Sequence, residues 1–364
     1  MSQIPETMQA VVCHGPGDYR LETRPVPRPG PGEVLVKVIA AGICAGDVKC
    51  FQGTPMFWGD ANRKAYAETD VIPGHEFVGR VVALGEGAGD RHGLALGDVA
   101  VSEQIVPCGE CRFCREGNYW MCQPHDLYGF HRVTQGSWAE YMIYPAKSRN
   151  YRLPDGMDPR HGVFVEPLGC SIHAVNRGNI GFNDVVVISG CGALGLGMVA
   201  AARMKNPAKL IALDLNPHRL ELAKRCGADI VMNPAEVDVV QAIRDLTGGY
   251  GCDVYIEATG AGKSVEQGLL AIRKLGTFVE FSVFKDPVTV DWTIIGDSKE
   301  LNIHGAHLSP NTYPHAIRMI AEGRLPMEDI LTHRLPLSGF REGIDIAADG
   351  RHSLKVILEP GAAA

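Results

Sequence analysis

Four cysteines within one short stretch, Cys108, Cys111, Cys114 and Cys122 in CGECRFCREGNYWMC, follow the spacing C-x2-C-x2-C-x7-C. Four thiolates on one lobe close a tetrahedral shell around zinc and leave no open position, which is the arrangement of a structural site. Three closely spaced cysteines also suit an iron-sulfur cluster, so on spacing alone both remain open. A second set is looser and mixes donor types: Cys44 in GICAGD, His75 and Glu76 in VIPGHEFVG, and Glu166 in GVFVEPLG. Sulfur, nitrogen and oxygen ligands drawn from across a fold are what a catalytic zinc uses when one position must stay open to substrate. Singly, each has a structural explanation: Cys44 as a small buried residue, His75 as a core histidine, Glu166 as a carboxylate at a helix start. Neighbouring side chains on a regular strand point to opposite faces, so His75 and Glu76 reach one point only if the backbone bends, and Pro73 and Gly74 supply that bend.

A third pattern is a phosphate cradle. VVVISGCGALG places Gly190, Gly192 and Gly195 in G-x-G-x-x-G directly after an apolar strand, with Ala193 and Leu194 opening a helix. Glycines there permit a tight turn, close approach of a pyrophosphate and close strand-helix packing, with the helix N-terminus facing the phosphates. Asp214 ends the next strand, where an acidic side chain bonds the ribose hydroxyls of an unphosphorylated dinucleotide and repels a 2′-phosphate. The other reading of Asp214 is a cap for the helix that starts at Pro217. Arg219 lies nearby as a further cofactor candidate or a solvated helix residue.

The elements that must carry these residues fall into two styles. The first 150 residues read as short strands between Gly/Pro turns: MQAVVC, EVLVKVIAAGI, FVGRVVALG, DVAV and AEYMIY. From about residue 165, strands alternate with helices expected at 193–204, 217–226, 236–246 and 263–273, which predicts βαβ units and a parallel sheet covered on both faces. A further helix is expected at 313–321, and closing strands end in LKVILEP, where the chain returns to the first domain. The uncharged run VVVISGCGALGLGMVAAA is long enough to mimic a membrane span, but its four glycines fit strand, turn and buried helix better.

Composition narrows the function classes. The chain has 364 residues, 45% of them hydrophobic, enough for two or three domains. Lys+Arg number 35 against 42 Asp+Glu, a net charge of −7 without a basic stripe, so nothing points to nucleic acid or an anionic membrane. Eleven cysteines without a basic-then-apolar N-terminal signal predict a reducing compartment, the cytoplasm, where clustered cysteines ligate metals.

In order along the chain, GIC, PGHEFVG, the four-cysteine lobe, GSWAEY, VEPLGCSIHAV, GCGALG, IEATG and LKVILEP resemble the zinc-dependent medium-chain alcohol and polyol dehydrogenases over essentially the whole length. The resemblance implies an α/β fold: a Rossmann doubly wound parallel sheet at 168–304, and a split GroES-like β-rich catalytic domain at 1–167 and 305–364. Substrate and nicotinamide would meet between them. It also implies two zinc ions per chain. One would be structural in the four-cysteine lobe; the other would be catalytic on Cys44, His75 and either Glu76 or Glu166, the remaining carboxylate standing behind or joining the shell. NAD is the implied cofactor, and a homo-oligomer, dimer or tetramer, the implied assembly. Glu166 stands where ethanol-type relatives carry a cysteine, which points toward polyols.

Two departures stand out. Relatives carry Ser or Thr two residues after the zinc cysteine and His five after, whereas this chain has Gly46 and Lys49, so the usual proton relay is broken. Lys49 is the candidate replacement, with ordered water as the alternative. The Cys44–His75 connection is also longer than in sorbitol dehydrogenases and carries Phe51, Phe57 and Trp58, features most similar to bacterial erythritol and threitol dehydrogenases. The expected reaction is oxidation of a secondary hydroxyl of a short polyol to a ketose. The alternatives are another sugar alcohol, an amino alcohol as in threonine dehydrogenases, or a non-catalytic NAD-binding sensor. The other reading of this aromatic-rich connection is a loop that serves a subunit interface.

Overall fold

The computed structural model describes residues 4–362. The chain forms two compact units, one running up to Glu166 and resuming at Met327, the other spanning Pro167–Pro326.

In the first unit, strand Val34–Ile43 is the organiser. Its sequence VLVKVIAAGI is apolar on both faces except at Lys37, and it pairs antiparallel with Phe77–Leu84, with Tyr141–Tyr144 and with Val356–Glu359. The sheet continues outward to His333–Pro336 on one side and through Val99–Ser102 to Asn150–Arg152 on the other. Thr7–Gly15 and Asp18–Pro25 form a separate hairpin. Trp138, Tyr128, Tyr144 and Leu35 are fully buried within this unit. The C-terminal strand Val356–Glu359 therefore lies beside Val34–Ile43 and brings the preceding Lys355 to the heart of the β-rich unit.

The second unit holds six parallel strands: Val185–Ser189, Lys209–Leu213, Ile230–Met232, Cys252–Glu257, Ile272–Glu280 and Asn302–Gly305. Numbered along the chain, their spatial order is 3-2-1-4-5-6, the doubly wound order of dinucleotide-binding sheets. The run VVVIS is buried almost throughout because both sheet faces are covered. Helix Ala193–Met204 carries no charge before Arg203 and buries Gly195 to Ala202, which explains its long uncharged sequence. No helix among the described residues is long and apolar enough to cross a membrane.

The helices fall at Ala193–Met204, Pro217–Arg225, Val239–Leu246, Gly262–Ala271 and Tyr313–Ala321. Expectation and structure part in three places. The third helix starts at Val239, because Asp238 caps it and accepts from Gln241 N. The fourth helix ends at Ala271, because the strand starts at Ile272 and passes through Leu275 at φ 61°. The return to the β-rich unit comes at Met327, not at 305. Residues 305–326 stay with the parallel sheet, where Thr312 Oγ1 donates to Gly169 O at 3.0 Å and Tyr313 is buried.

Candidate functional site

Cys44 caps the short helix Ala45–Phe51. Its sulfur accepts from Gly46 N at 3.4 Å, and Asp47 Oδ2 accepts from Cys44 N at 2.9 Å, a reciprocal capping box. Asp47 is almost wholly buried, and its other oxygen lies 3.3 Å from His75 Nδ1. At that separation the two attract by charge, and Nδ1 is a buried atom without a hydrogen-bond partner. Burial alone would lower the His75 pKa, but the charges of Asp47 and Cys44 hold it well above the ordinary imidazole value. The polypeptide has thus put a sulfur and an acidic group on one turn and brought the His75 imidazole against them.

The bend before His75 depends on Gly74. Its φ of 98° is a conformation side chains rarely adopt, and a Cβ there would run into Trp138. Beyond the bend Glu76 is buried, and Lys355 Nζ lies 2.7 Å from each of its carboxylate oxygens. Burial would lower the Lys355 pKa, but the negative charges of Glu76, Cys44 and Glu166 raise it above the usual ammonium value. Glu166 is also buried, and its Oε1 accepts from Gln104 Nε2 at 2.7 Å.

Cys44, His75 and Glu76 each offer a ligand atom within 4.8 Å of the others; Glu166 is outside that group. The mixed sulfur, nitrogen and oxygen donors fit a divalent zinc, whose binding takes deprotonated sulfur and neutral imidazole. Lys49 is half-buried on the Cys44 helix. Burial lowers its ammonium pKa while the Cys44 charge works the other way. Phe57 is 6% exposed, stacked on Phe130 at 5.3 Å, and the Phe130 ring is 5.5 Å from that of His75. Phe57 therefore faces the site and not the protein surface.

The four-cysteine lobe places the sulfurs of Cys108, Cys111, Cys114 and Cys122 within 4.8 Å of one another, all as free thiols. Backbone N–H groups converge on them: Cys111 N and Glu110 N on Cys108 Sγ, Gln123 N on Cys111 Sγ, and Cys108 N on Cys122 Sγ. These donors pull the Cys108 and Cys111 thiols below their ordinary range, Cys111 to about 6, whereas burial raises Cys114 and Cys122. Backbone dipoles aimed at sulfur favour thiolates, so this donor set also fits a tetrahedral zinc.

In the second unit the glycine-rich turn has the shape a dinucleotide needs. Gly190 has φ 100°, and a Cβ on Gly195 would strike Gly190 O, so the turn closes tightly. Gly192 faces open space just before Ala193 and Leu194 begin the helix. Asp214 Oδ2 accepts from Cys191 N at 2.7 Å and its Oδ1 from Asn216 N at 2.8 Å, tying the turn to the next strand. The helix from Pro217 is capped by Asn216, whose Oδ1 accepts from His218 N, so Asp214 is not its cap. Arg219 lies on that helix, half-buried.

Asp47, Lys355 and Gln104 were not among the residues singled out from the sequence. Asp47 was findable, because an acidic residue three places after Cys44 is a capping-box spacing. Lys355 and Gln104 carry no local signal.

Known proteins bear on the site. Residues 30–155 match the family described as alcohol dehydrogenase GroES-like domain, and residues 193–322 the family described as zinc-binding dehydrogenase. The chain is 57% identical over 359 residues to an erythritol/L-threitol dehydrogenase of Mycolicibacterium smegmatis, covering 99% of each. It is 36% identical to an L-threonine 3-dehydrogenase of Pyrococcus horikoshii, covering 97% of this chain and 99% of the relative. A crystal structure of a zinc-binding dehydrogenase from Sinorhizobium meliloti 1021 bound to NADP superposes with a TM-score of 0.87 at 29% identity, covering 98% of this chain and 100% of that one.

Proposed function

We propose, because the chain belongs to the zinc-dependent medium-chain alcohol and polyol dehydrogenases, that it oxidises a secondary hydroxyl of a short polyol of the erythritol or threitol kind to a ketose, with NAD as acceptor. The carrying observation is the Cys44, His75 and Glu76 donor group in a chain so similar to an erythritol/L-threitol dehydrogenase. Those three residues would hold one zinc ion, with Glu166 as the alternative carboxylate, and the four-cysteine lobe a second. Zinc at the first site supplies Lewis acidity that lowers the pKa of a bound hydroxyl, and at the second it supplies folding energy. NAD, held by the Gly190–Gly195 turn, would supply the hydride acceptor.

The protein's own groups do the rest. The Asp47 charge, 3.3 Å from His75 Nδ1, helps to hold the imidazole in place. Lys355 offsets the Glu76 charge, so that the centre does not gather two uncompensated carboxylates. Gln104 fixes Glu166 by one oxygen. Gly46 has no group to carry the hydroxyl proton, which passes to Lys49 Nζ or to ordered water. Asp214 and the Gly190–Gly195 turn support NAD over NADP, since the carboxylate repels a 2′-phosphate. Turnover of a four-carbon polyol with NAD, lost on chelation and restored by zinc, tests the assignment; turnover that survives full metal removal overturns it.

A further inference from the structure

The order of the parallel strands reverses between Val185–Ser189 and Cys252–Glu257, the switch point outside whose carboxyl ends a dinucleotide lies in sheets of this order. The turn that leaves the second of these strands touches the glycine turn that leaves the first. Ala258 N donates to Ser189 O at 2.8 Å, and a Cβ on Gly190 would meet Ala258 O and Thr259 Cγ2, each at 2.9 Å. Glu257 is fully buried and holds the turn in shape, accepting from Thr259 N at 2.8 Å, from Thr259 Oγ1 and from Gly260 N at 3.1 Å. One carboxylate therefore fixes a wall of the cofactor cradle.

A second carboxyl group stands beside it. Glu280 is paired in register with Glu257 on the neighbouring parallel strand, so both side chains leave the same face of the sheet. Phe281 N donates to Glu257 O at 3.3 Å, and a Cβ on Gly260 would meet Val283 O at 3.4 Å, so the segment after Glu280 packs on the turn that Glu257 holds. Glu280 is half-buried, and its Oε1 is a buried oxygen without a hydrogen-bond partner. The elements packed on this strand carry Asp253 and Glu257 on Cys252–Glu257, His304 on Asn302–Gly305, and Lys263 and Glu266 on Gly262–Ala271. Asp253 is paired with Arg273 at the far end of the sheet, where Lys299 Nζ also donates to Ile272 O, and His304 Nδ1 meets Arg177 O. The charge that acts on Glu280 is that of Glu257, and it has the same sign.

We propose that Glu257 and Glu280 form a carboxylate–carboxylic acid pair that positions the cofactor turn, Glu280 being a positioning residue, and that the dinucleotide binds the form in which Glu280 carries a proton. This rests on the NAD reading above. The incoming pyrophosphate brings negative charge to the Gly190 turn and excludes water, and both make a second carboxylate charge beside Glu257 costlier. Binding therefore takes up a proton at pH values where the free protein has lost it. The positive nicotinamide of NAD offsets part of this effect, whereas NADH has no such charge. Rising pH thus loosens NADH more than NAD, which favours oxidation of the polyol.

The test measures the Kd of NADH by fluorescence from about pH 6 to about pH 8.5 in the zinc-loaded wild type and in Glu280→Gln, whose neutral amide imitates the protonated acid. Both proteins carry the same zinc, so a difference in their pH dependence belongs to Glu280. The wild-type Kd rises over this range by about 5-fold or more beyond any rise in the variant. Calorimetry in two buffers of different ionisation enthalpy, at the alkaline end of the range, finds proton uptake on NADH binding by the wild type that Glu280→Gln lacks. A merely structural Glu280 would shift the thermal midpoint and leave the pH dependence of Kd alone. If Glu280→Gln does not fold, Glu280→Ser takes its place with the same expectation. Parallel Kd curves, or equal proton uptake by the two proteins, overturn the proposal. Wild-type protein that binds neither NADH nor NAD at any pH overturns the cofactor reading instead, so the two failures are separable.

Discussion

Lys355 Nζ lies 2.7 Å from both carboxylate oxygens of Glu76, a buried ion pair joining residues 279 positions apart in the chain. Each charge makes the other tolerable out of water, so removing one partner leaves an uncompensated buried charge, at a cost of about 3–5 kcal/mol. Lys355→Met is expected to lower unfolding stability by that order and to weaken zinc retention at the Cys44 site, while Lys355→Arg recovers part of both. Denaturant unfolding with parallel metal analysis decides it. A Lys355→Met protein of wild-type stability and zinc content would show that the pair contributes nothing.

The two carboxylates are expected to respond differently. Glu76 lies with Cys44 and His75, whereas Glu166 is held by Gln104 outside that group. If Glu76 ligates, Glu76→Gln weakens zinc binding by about 10–100-fold, and Glu166→Gln keeps its zinc and shifts the pH-rate profile. Metal-buffer titration of both variants checks this, and zinc lost from Glu166→Gln alone would reverse the roles.

Cofactor choice is expected to follow Asp214, whose oxygens accept from Cys191 N and Asn216 N. NAD should exceed NADP in kcat/KM, and Asp214→Ser should narrow the gap. Equal efficiency of the two cofactors in the wild type refutes the role given to Asp214.

Glu280 gives a pH-dependent prediction away from the metal. It is paired in register with Glu257 on the adjacent parallel strand, and its Oε1 is a buried oxygen without a hydrogen-bond partner. Burial, then the Glu257 charge, pushes its pKa up to about 7 from an ordinary value of 4.5. Between those values the unfolded chain gives up the proton and the folded one keeps it, so stability falls as pH rises from about 4.5 to 7. Glu280→Gln removes the penalty. It should match wild type near pH 4.5 and exceed it at pH 8 by up to about 3 kcal/mol. Equal stability of the two proteins at pH 8 would contradict this.

The residues legible in the sequence were those whose chemistry is written in local spacing. The C-x2-C-x2-C lobe, the turn from Gly190 to Gly195 and the bend at Pro73 and Gly74 each depend on neighbours a few positions away. Lys355 lies within LKVILEP, yet that motif shows no role for it, because its partner is set by the pairing of Val356–Glu359 with Val34–Ile43. Gln104 and Glu166 meet for the same kind of reason, through tertiary packing that no short pattern records. No local pattern marks the return of the chain after 305: Asn302–Gly305 adds a sixth parallel strand, and Thr312 ties the next helix to Gly169. The stacking of Phe57 on Phe130 is likewise set by tertiary packing and has no local sequence signal.

The most direct test of the account is the comparison of kcat/KM with NAD for erythritol, L-threitol, sorbitol and L-threonine, using the zinc-loaded protein and following the reduced cofactor. A four-carbon polyol is expected to exceed L-threonine by more than about 100-fold. L-Threonine as the preferred substrate, or no turnover of any polyol by protein that holds zinc and binds NAD, would contradict it.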